Sequence, residues 1–465
     1  MKLTIADILK IRSLKAQFLG SISDLDTEFG KVTIDSRKAS PGDLFIAIRG
    51  ERFDGHQFID EVLRSGARAA VVKREWIGES KVTGNLIVVS DTLATLQEIS
   101  NYYRRKFSFP LIAITGSNGK TTTKEMVAHV LSQHYQVLKN PGNLNNYIGV
   151  PLTLFMLADH YDMAVIEFGT SRFGEIKRLA EISEPQFGLI TNIGPAHLEF
   201  FGSLQGVAAE KTDLWRYIES AKGTAFINVD DPFLAVTLPT CGEIITYGFN
   251  NKASVKGEFL GLTEHGCAEF MHQGIKFTLA VPGEHNIYNA LAAIAISIRF
   301  GIELSAVQMA LQSFQSTSKR MEVIKSQGIL VLNDCYNSNP ASAERALKTL
   351  AQIRTRGKRI AVLADMLELG PSGESHHRAI GRLAAGLKID HVLAYGPLSH
   401  FTIEEAAING MKNVIHFDNK SHLINMLKDI IHRNDTILIK GSRGMAMEDV
   451  TNALLSSAED REQAN

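Results

Sequence analysis

Charge of one sign is the first thing this 465-residue chain lacks: 49 Lys and Arg stand against 50 Asp and Glu, for a formal net charge of -1. That balance supplies no basic footprint for a nucleic-acid backbone and no polybasic patch for an anionic membrane, so neither is expected as a partner. Cysteine is scarce as well. Cys241, Cys267 and Cys335 are scattered and odd in number, which excludes a closed disulfide framework and a CxxC metal pair and leaves reduced thiols as the expectation. Long apolar runs are missing. The most apolar helical stretch, ALAAIAISI from Ala290 to Ile298, is far short of the roughly 20 residues of a membrane span. The start, MKLTIADILKIRSLK, interleaves charges where a signal peptide carries an apolar block, so a cytoplasmic location is expected. No repeat of roughly 20 to 50 residues and no low-complexity tract occurs, which argues against solenoids and disordered scaffolds.

What is present is 45% hydrophobic residues, ample for the two to four domains that about 100 to 200 residues per domain imply. Up to about residue 107, β-rich runs (LFIAI at Leu44, AAVVK at Ala69, NLIVVS at Asn85) alternate with helical segments, a small α/β unit. NYYRRKFSFP, Asn101 to Pro110, is a charged helix end closed by a proline, and a boundary is expected there. The runs LIAIT (Leu111), MAVIEF (Met163), FGLITNI (Phe187) and TAFINVD (Thr224), each followed by helix-length sequence, predict a mostly parallel, doubly wound sheet. From Ile244 to Val281 closely spaced strands predict a β-meander appended to it, followed by a helix at NIYNALAAIAISIRF. Beyond Met321 the strands GILVLND, RIAVLAD, HVLAYG and TILIKG each end in a carboxylate, a glycine or a lysine. Ligands of open α/β sheets bind at the carboxyl ends of the strands, so function is sought there. The polar tail from Ser457 to Asn465 is expected to fray.

The strongest local signal is ITGSNGKTTTKEM, which follows a buried strand and opens a helix. Ile114 stands where GxxxxGK[ST] has its first glycine, but Gly116, Gly119, Lys120 and Thr121 remain. The glycines let backbone N–H groups approach phosphate, the helix N-terminus adds about half a positive charge, and Lys120 and Thr121 reach phosphates and Mg²⁺. ATP or GTP binding is the expectation. A metal-holding carboxylate is then needed, and Glu167 at the end of MAVIEF is delivered to the same sheet edge. His197, in NIGPAHLE, either ligates a second metal, orients a carboxylate or is structural. Lys211 shares a helical face with Val207, Leu214 and Ile218. It either snorkels, binds phosphate or is carbamylated into an anionic metal ligand. In PGEHNIYNALAA, the amides of Asn286 and Asn289 suit the edge of a base, with helix capping by Asn286 as the alternative. Asp334, ending a strand before a cluster of amides, suits ribose hydroxyls or an ordinary Asx-rich turn. Arg443, in KGSRG, either pairs with a carboxylate or is solvated.

Together these segments, with PGNLNNYIGVPLTL, NDCYNSNP, LADMLELG and KGSRGMAME, resemble the Mur ligases over nearly the whole chain and in order. The early segment DSRKASPGDLFIAIRGERFDGHQFI is similar to the family's uridine-nucleotide recognition segment. The resemblance implies three domains: residues 1–107 for the UDP-sugar peptide, 108–316 for ATP, and a Rossmann-like 317–465 that closes on ATP and receives the amino substrate. It implies ATP and two Mg²⁺ ions as cofactors. Thr115, Gly116, Ser117, Asn118, Gly119, Lys120, Thr121 and Thr122 would form the phosphate loop. Thr121, Glu167, His197 and a carbamylated Lys211 would serve the metals, Asn286 and Asn289 adenine, Arg320 a phosphate and Asp334 the ribose. Ser36, Arg37, Asn145, Asn146, Tyr336, Asn337 and Arg443 would face the other substrates. NDCYNSNP stands where the ligase that adds the third peptide residue has a DYAH type motif, and the DNPR motif of its diaminopimelate form is absent. The implied substrates are therefore UDP-N-acetylmuramoyl-tripeptide and D-alanyl-D-alanine, joined through an acyl phosphate by an enzyme expected to be a monomer. A phosphate-loop kinase or NTPase, a nucleotide-gated binding module and a Mur-type ligase with another amino substrate are the rival readings.

Overall fold

The computed structural model describes residues 1–50, 53–77, 84–240, 242–249, 253–316 and 319–462. Cys241, residue 317 at the expected second boundary and the last three tail residues lie outside them. Backbone contacts group the chain into two compact units, one of residues 1–113, 135–188 and 213–223, the other of 114–134, 189–212 and 224–465.

In the first unit, Val32–Thr33, Leu44–Ile46, Ala69–Lys73 and Leu86–Val89 pair in parallel, and Gln17–Leu19 closes the edge antiparallel to Leu86–Val89. Strand periodicity of two sends Ala70, Val72, Leu86 and Val88 to one face, where Ile59 and Val62 of the helix Ile59–Arg64 cover them. The helix Thr92–Arg104 starts on Asp91, whose side chain accepts the Ala94 N–H. At its charged end Arg105 and Lys106 are exposed, but Arg104 is not. Arg104 is buried and donates to the carbonyls of Ser183, Phe107 and Phe109 at 3.0, 2.7 and 3.1 Å, knotting the helix end to the chain that leads into the next strand. That strand, Leu111–Thr115, begins between Met163–Glu167 and Phe187–Ile190: Pro110 accepts the Ala164 N–H, and Leu111 the Gln186 N–H.

In the second unit, Thr224–Asn228, Glu243–Gly248 and Val255–Lys256 pair in parallel. The expected meander is therefore shorter than the sequence suggested. The strand through Ile244 extends the parallel set, and only Glu258–Leu262, Cys267–His272 and Ile275–Pro282 form the antiparallel sheet. The misreading has a physical cause: Val255–Lys256 pairs with only Tyr247 and Gly248, and Glu243 to Thr246 are exposed or half-buried, so the strand lacks the continuous burial of an interior parallel strand. Helix Asn286–Arg299 is buried almost all round from Asn286 to Ser297, as expected of a helix without a polar face, and it packs on the helix Lys120–Leu131.

The C-terminal sheet runs in the order Glu322–Ser326, Ile329–Asp334, Thr436–Lys440, Arg359–Ala364, His391–Tyr395, Val414–Phe417, with only the first strand antiparallel. Leu332, Ala361, Leu363, Val392 and Leu438 face the helices Pro340–Gln352 and Gly373–Gly386, and Val331, Ile360, Val362, Leu393 and Ile437 face Lys420–Ile430 and Glu448–Glu462. Both faces are covered, which explains strands that read as apolar runs. The chain steps from Ile329–Asp334 to Arg359–Ala364 over the place that Thr436–Lys440 later fills, and the crevice at such a reversal is where ligands bind. The tail is helical to Glu462 and not frayed from Ser457. Among the described residues no helix is long and apolar enough to cross a membrane.

The Arg104 knot yields a stability expectation. Arg104→Met fills the stem's space but strands three carbonyls, and a buried unsatisfied acceptor costs about 1–3 kcal/mol. The first urea transition should fall by about 2–4 kcal/mol. An unchanged midpoint would show that water serves those carbonyls equally well.

Candidate functional site

The phosphate-loop segment leaves its strand through Gly116 at φ +143°, where a Cβ would lie 1.9 Å from Thr191 Oγ1. It enters the helix Lys120–Leu131 through Gly119 at φ +79°, where a Cβ would meet Asn289 Oδ1 at 2.7 Å. Both glycines are required, by close approach and by left-handed backbone. The loop is clamped from behind by the chain following Phe187–Ile190. Ser117 N–H donates to the Asn192 carbonyl at 2.9 Å and Asn118 N–H to Asn192 Oδ1 at 3.1 Å. Asn118 C=O accepts from Thr191 Oγ1 and Asn192 Nδ2, and Ser117 Oγ pairs with both backbone groups of Gly194 at 2.9 Å. Lys120 curls over the loop and donates to Gly116 C=O at 2.9 Å.

Ser117 and Lys120 line a cleft of about 170 Å³ together with Ala196, His197, the run Asn337 to Asn339, the run Leu367 to Leu369, and Ser442 to Gly444. Five motifs far apart in sequence thus line one cleft. Asn339 caps the helix Pro340–Gln352 in a capping box with Ser342, and its amide donates to Asn118 Oδ1 at 2.9 Å. His197, at φ +50°, brings Nδ1 to 2.6 Å from Glu368 Oε2, a short ion contact rather than an aligned hydrogen bond. Contact with His197 holds the Glu368 carboxyl below its usual range, against the opposing effect of burial.

The amides of Asn286 and Asn289 are buried and chained. Asn289 Oδ1 accepts from Thr123 Oγ1 at 3.0 Å, Asn289 Nδ2 donates to Asn286 Oδ1 at 2.8 Å, and Asn286 Nδ2 donates to Pro282 C=O at 2.7 Å. Asn286 is not the helix cap, since that position is His285 and no side chain caps it. Desolvation, with Arg345 and Lys440 adding positive charge, pushes the His285 pKa down to about 3 and keeps the ring neutral. Arg320 stacks on Tyr336, its guanidinium carbon 3.8 Å from the ring centroid, and Arg443 lies 5.9 Å from the same ring while pairing with Glu448 at 2.8 Å. Asp334 pairs with Lys440 at 2.6 Å.

The remaining expected positions are held locally. Glu167, in the first unit, is buried, accepts from Asn145 Nδ2 at 2.9 Å, and has its backbone N–H on Asn140 Oδ1 at 2.9 Å. Asn146 Oδ1 accepts the N–H groups of Ile148 and Gly149, starting the helix Gly149–Leu154. Arg37, beside Ser36 in a short 3-10 turn, is exposed and doubly bonded to Asp35 at 2.9 Å, which lowers the Asp35 pKa. Lys211 lies in the helix Leu204–Ser220 and is 2% exposed, with Val207, Leu214 and Ile218 buried on its face. Snorkelling to water is thereby excluded. Thr115 and Thr121 are buried and Thr122 is half-buried.

Three descriptions of known protein domains match this chain: "Mur ligase family, catalytic domain" over residues 28–104, "Mur ligase middle domain" over 114–297, and "Mur ligase, glutamate ligase domain" over 319–443. UDP-N-acetylmuramoyl-tripeptide--D-alanyl-D-alanine ligase of Bacillus subtilis (strain 168) is 36% identical over 92% of this chain and 93% of its own length. The chain belongs to the Mur ligase family. Two solved structures extend the likeness. MurF from Acinetobacter baumannii superposes with a TM-score of 0.87 at 30% identity, covering 97% of this chain and 98% of its own. MurF ligase from Thermotoga maritima, in complex with ADP, gives 0.83 at 27% identity over 93% and 98%. The expected three-part α/β architecture, with a small N-terminal part, a central parallel-sheet part carrying appended antiparallel strands and a Rossmann-like C-terminal part, is that of these structures.

Reading this Mur ligase from sequence alone missed the residues that brace the site. Glu368 sits inside LADMLELG and Asn339 inside NDCYNSNP, so the motif held the signal but not the partner. Thr191 and Asn192 carried only the signal of polar residues after a buried strand. The His197–Glu368 contact generates a pH expectation. A carboxyl with a lowered folded pKa stabilises fully above its unfolded value, ordinarily 4.5, and the contribution is lost as pH falls through the folded value. Wild type should exceed Glu368→Gln in stability at pH 7, and the gap should close below about pH 4.5. A gap constant from pH 7 to 3 in thermal unfolding would contradict the ion contact.

Proposed function

We propose that this chain is the ATP-dependent, ADP-forming ligase that joins D-alanyl-D-alanine to UDP-N-acetylmuramoyl-tripeptide in the cytoplasmic synthesis of the peptidoglycan precursor. The observation that carries the reading is the cleft shared by Ser117 and Lys120 with Asn337 and Arg443. A phosphate loop alone can serve an NTPase, whose acceptor is water, whereas a ligase needs an acceptor-binding wall beside it. The full-length likeness to relatives named for this reaction supports the same substrates. The proposal includes domain limits near residues 107 and 316 and a monomer.

In the first step an oxygen of the peptide carboxylate bonds to the γ-phosphorus of ATP, the bridging P–O bond breaks, and ADP leaves. In the second the amine nitrogen of D-alanyl-D-alanine bonds to the acyl carbon, the C–O bond to phosphate breaks, and the amine loses a proton. Two anions meet in the first step, so Lys120 and the N-terminal amides of its helix offset the repulsion. Asn286 and Asn289 hold the adenine, Arg320 a phosphate and Asp334 the ribose. Ser36, Arg37, Asn145, Asn146, Tyr336, Asn337 and Arg443 contact the UDP-sugar peptide or the dipeptide. Mg²⁺ takes a few protein oxygens alongside phosphate oxygens. The Thr121 hydroxyl and the Glu167 carboxylate, oriented by Asn145, are donors of that kind, with His197 and carbamylated Lys211 serving a second ion. When bound, the two ions neutralise charge on the phosphates. The carbamate forms when CO₂ adds to the neutral Lys211 amine with loss of a proton. The burial of Lys211 supports it, because it excludes a snorkelling ammonium. Ordering three substrates supplies roughly 7–11 kcal/mol, against ~3–5 kcal/mol for a single general base, so assembly dominates.

ADP release with ATP and Mg²⁺ should require both UDP-N-acetylmuramoyl-tripeptide and D-alanyl-D-alanine, with a product heavier by one dehydrated dipeptide. Tight ATP binding without release when both are supplied would move the reading to another amino substrate or to a binding module. Lys211→Ala should lose at least about 100-fold in kcat, as expected for an electrostatic group at a phosphoryl-transfer site, and short-chain carboxylic acids should restore part of it. Absence of any rescue would count against the carbamate.

A further inference from the structure

Asp334 and Lys440 are Cα partners at the carboxyl ends of two adjacent parallel strands, at the reversal of the C-terminal sheet. The Lys440 side chain is 2% exposed, and its ammonium lies 2.6 Å from Asp334 Oδ2 and 3.0 Å from Asn337 C=O. The other carboxylate oxygen, Oδ1, accepts the Met321 N–H at 3.0 Å. Lysine is almost never buried to this degree without a paired charge. Nothing in the proposed reaction uses Lys440.

A carboxylate offers about four acceptor positions, two on each oxygen. Lys440 and Met321 occupy one on each, which leaves one on each for a ligand, the pattern two vicinal hydroxyls require. Removing the ammonium frees the carboxylate to rotate about its last bond and withdraws the cation that balances it. The same ammonium grips the Asn337 carbonyl, two residues from Asn339, which caps its helix and donates to Asn118 of the phosphate loop.

We infer that Lys440 is a positioning residue for the nucleotide: by fixing the Asp334 carboxylate and the Asn337 turn together, it presents one acceptor on each Asp334 oxygen to the two ribose hydroxyls. The inference rests on the reading of Asp334 as the ribose acceptor. A purely structural ion pair would set stability alone, whereas a positioning residue sets discrimination between ribose and deoxyribose.

The test is calorimetric binding of ADP and of 2′,3′-dideoxy-ADP to the full chain with Mg²⁺. Wild type should favour ADP about tenfold or more, as hydrogen bonds to a charged group predict. Asp334→Asn should bring the ratio below about threefold. Lys440→Met should do the same and raise KM for ATP more than it lowers kcat, whereas Lys440→Arg, which keeps the cation, should retain most of the ratio. Should Lys440→Met fail to fold, Lys440→Gln carries the same comparison. A wild-type ratio near one, or one kept by Asp334→Asn, would remove the ribose reading itself. A ratio lost in Asp334→Asn but kept in folded Lys440→Met or Lys440→Gln would overturn the role of Lys440.

Discussion

The second unit depends on one close approach, the backbone of Gly116 laid against Thr191. A side chain at Gly116 would overlap Thr191 Oγ1, so the loop can follow the neighbouring strand only where the residue is glycine. From that contact the clamp follows: Asn192 takes the Ser117 and Asn118 amides, and Thr191 and Asn192 together take the Asn118 carbonyl. The loop's polar groups are thus spent on the rear wall. An α-helix leaves its first N–H groups without intrahelical acceptors, and with the loop held from behind, the amides that open the helix at Lys120 are the ones positioned to meet phosphate.

Much of this was legible in the sequence, and what was not shares one cause. The strands Ala69–Lys73 and Leu111–Thr115 match their apolar runs residue for residue, because a strand buried on both faces has no polar alternation to blur its ends. Local chemistry was legible too, since a glycine at positive φ and a lysine after it mark a phosphate loop wherever they follow a buried strand. Pairing across long sequence separation was not. Nothing local in NYYRRK says that Arg104 will be buried on the carbonyl of Ser183, and nothing in ELG says that Glu368 will meet His197. The strand through Ile244 was read as part of the meander because nothing local to it shows that it pairs in parallel with Thr224–Asn228.

Buried charge in this chain is met by local partners. Arg104 is met by three carbonyls, Glu167 by an amide, Lys440 by a carboxylate and a carbonyl, and Asp365 by the backbone N–H groups of Leu398 and Ser399 and the Ser399 hydroxyl. Removing one member of such a set leaves a charge or polar group buried without its complement, which costs more than the pair contributes. The near-zero net charge is consistent with this design, and it makes the few cations gathered at the cleft stand out against a balanced background.

Those cations are reinforced by the backbone. Helix Lys120–Leu131 begins at the cleft, and so does helix Pro340–Gln352, whose cap Asn339 lines it and bonds Asn118. Each helix N-terminus contributes about half a positive charge, so two of them add about one unit beside Lys120 and Arg443, against Glu368, which contacts His197. A carboxylate attacking a polyphosphate needs this kind of fixed positive field, because dipoles already oriented by the fold do not have to reorganise when charge moves between anions. The bond from Asn339 to Asn118 therefore does more than hold two segments together. It sets the second helix terminus against the phosphate loop, so the field at the cleft depends on the C-terminal sheet keeping its register with the loop.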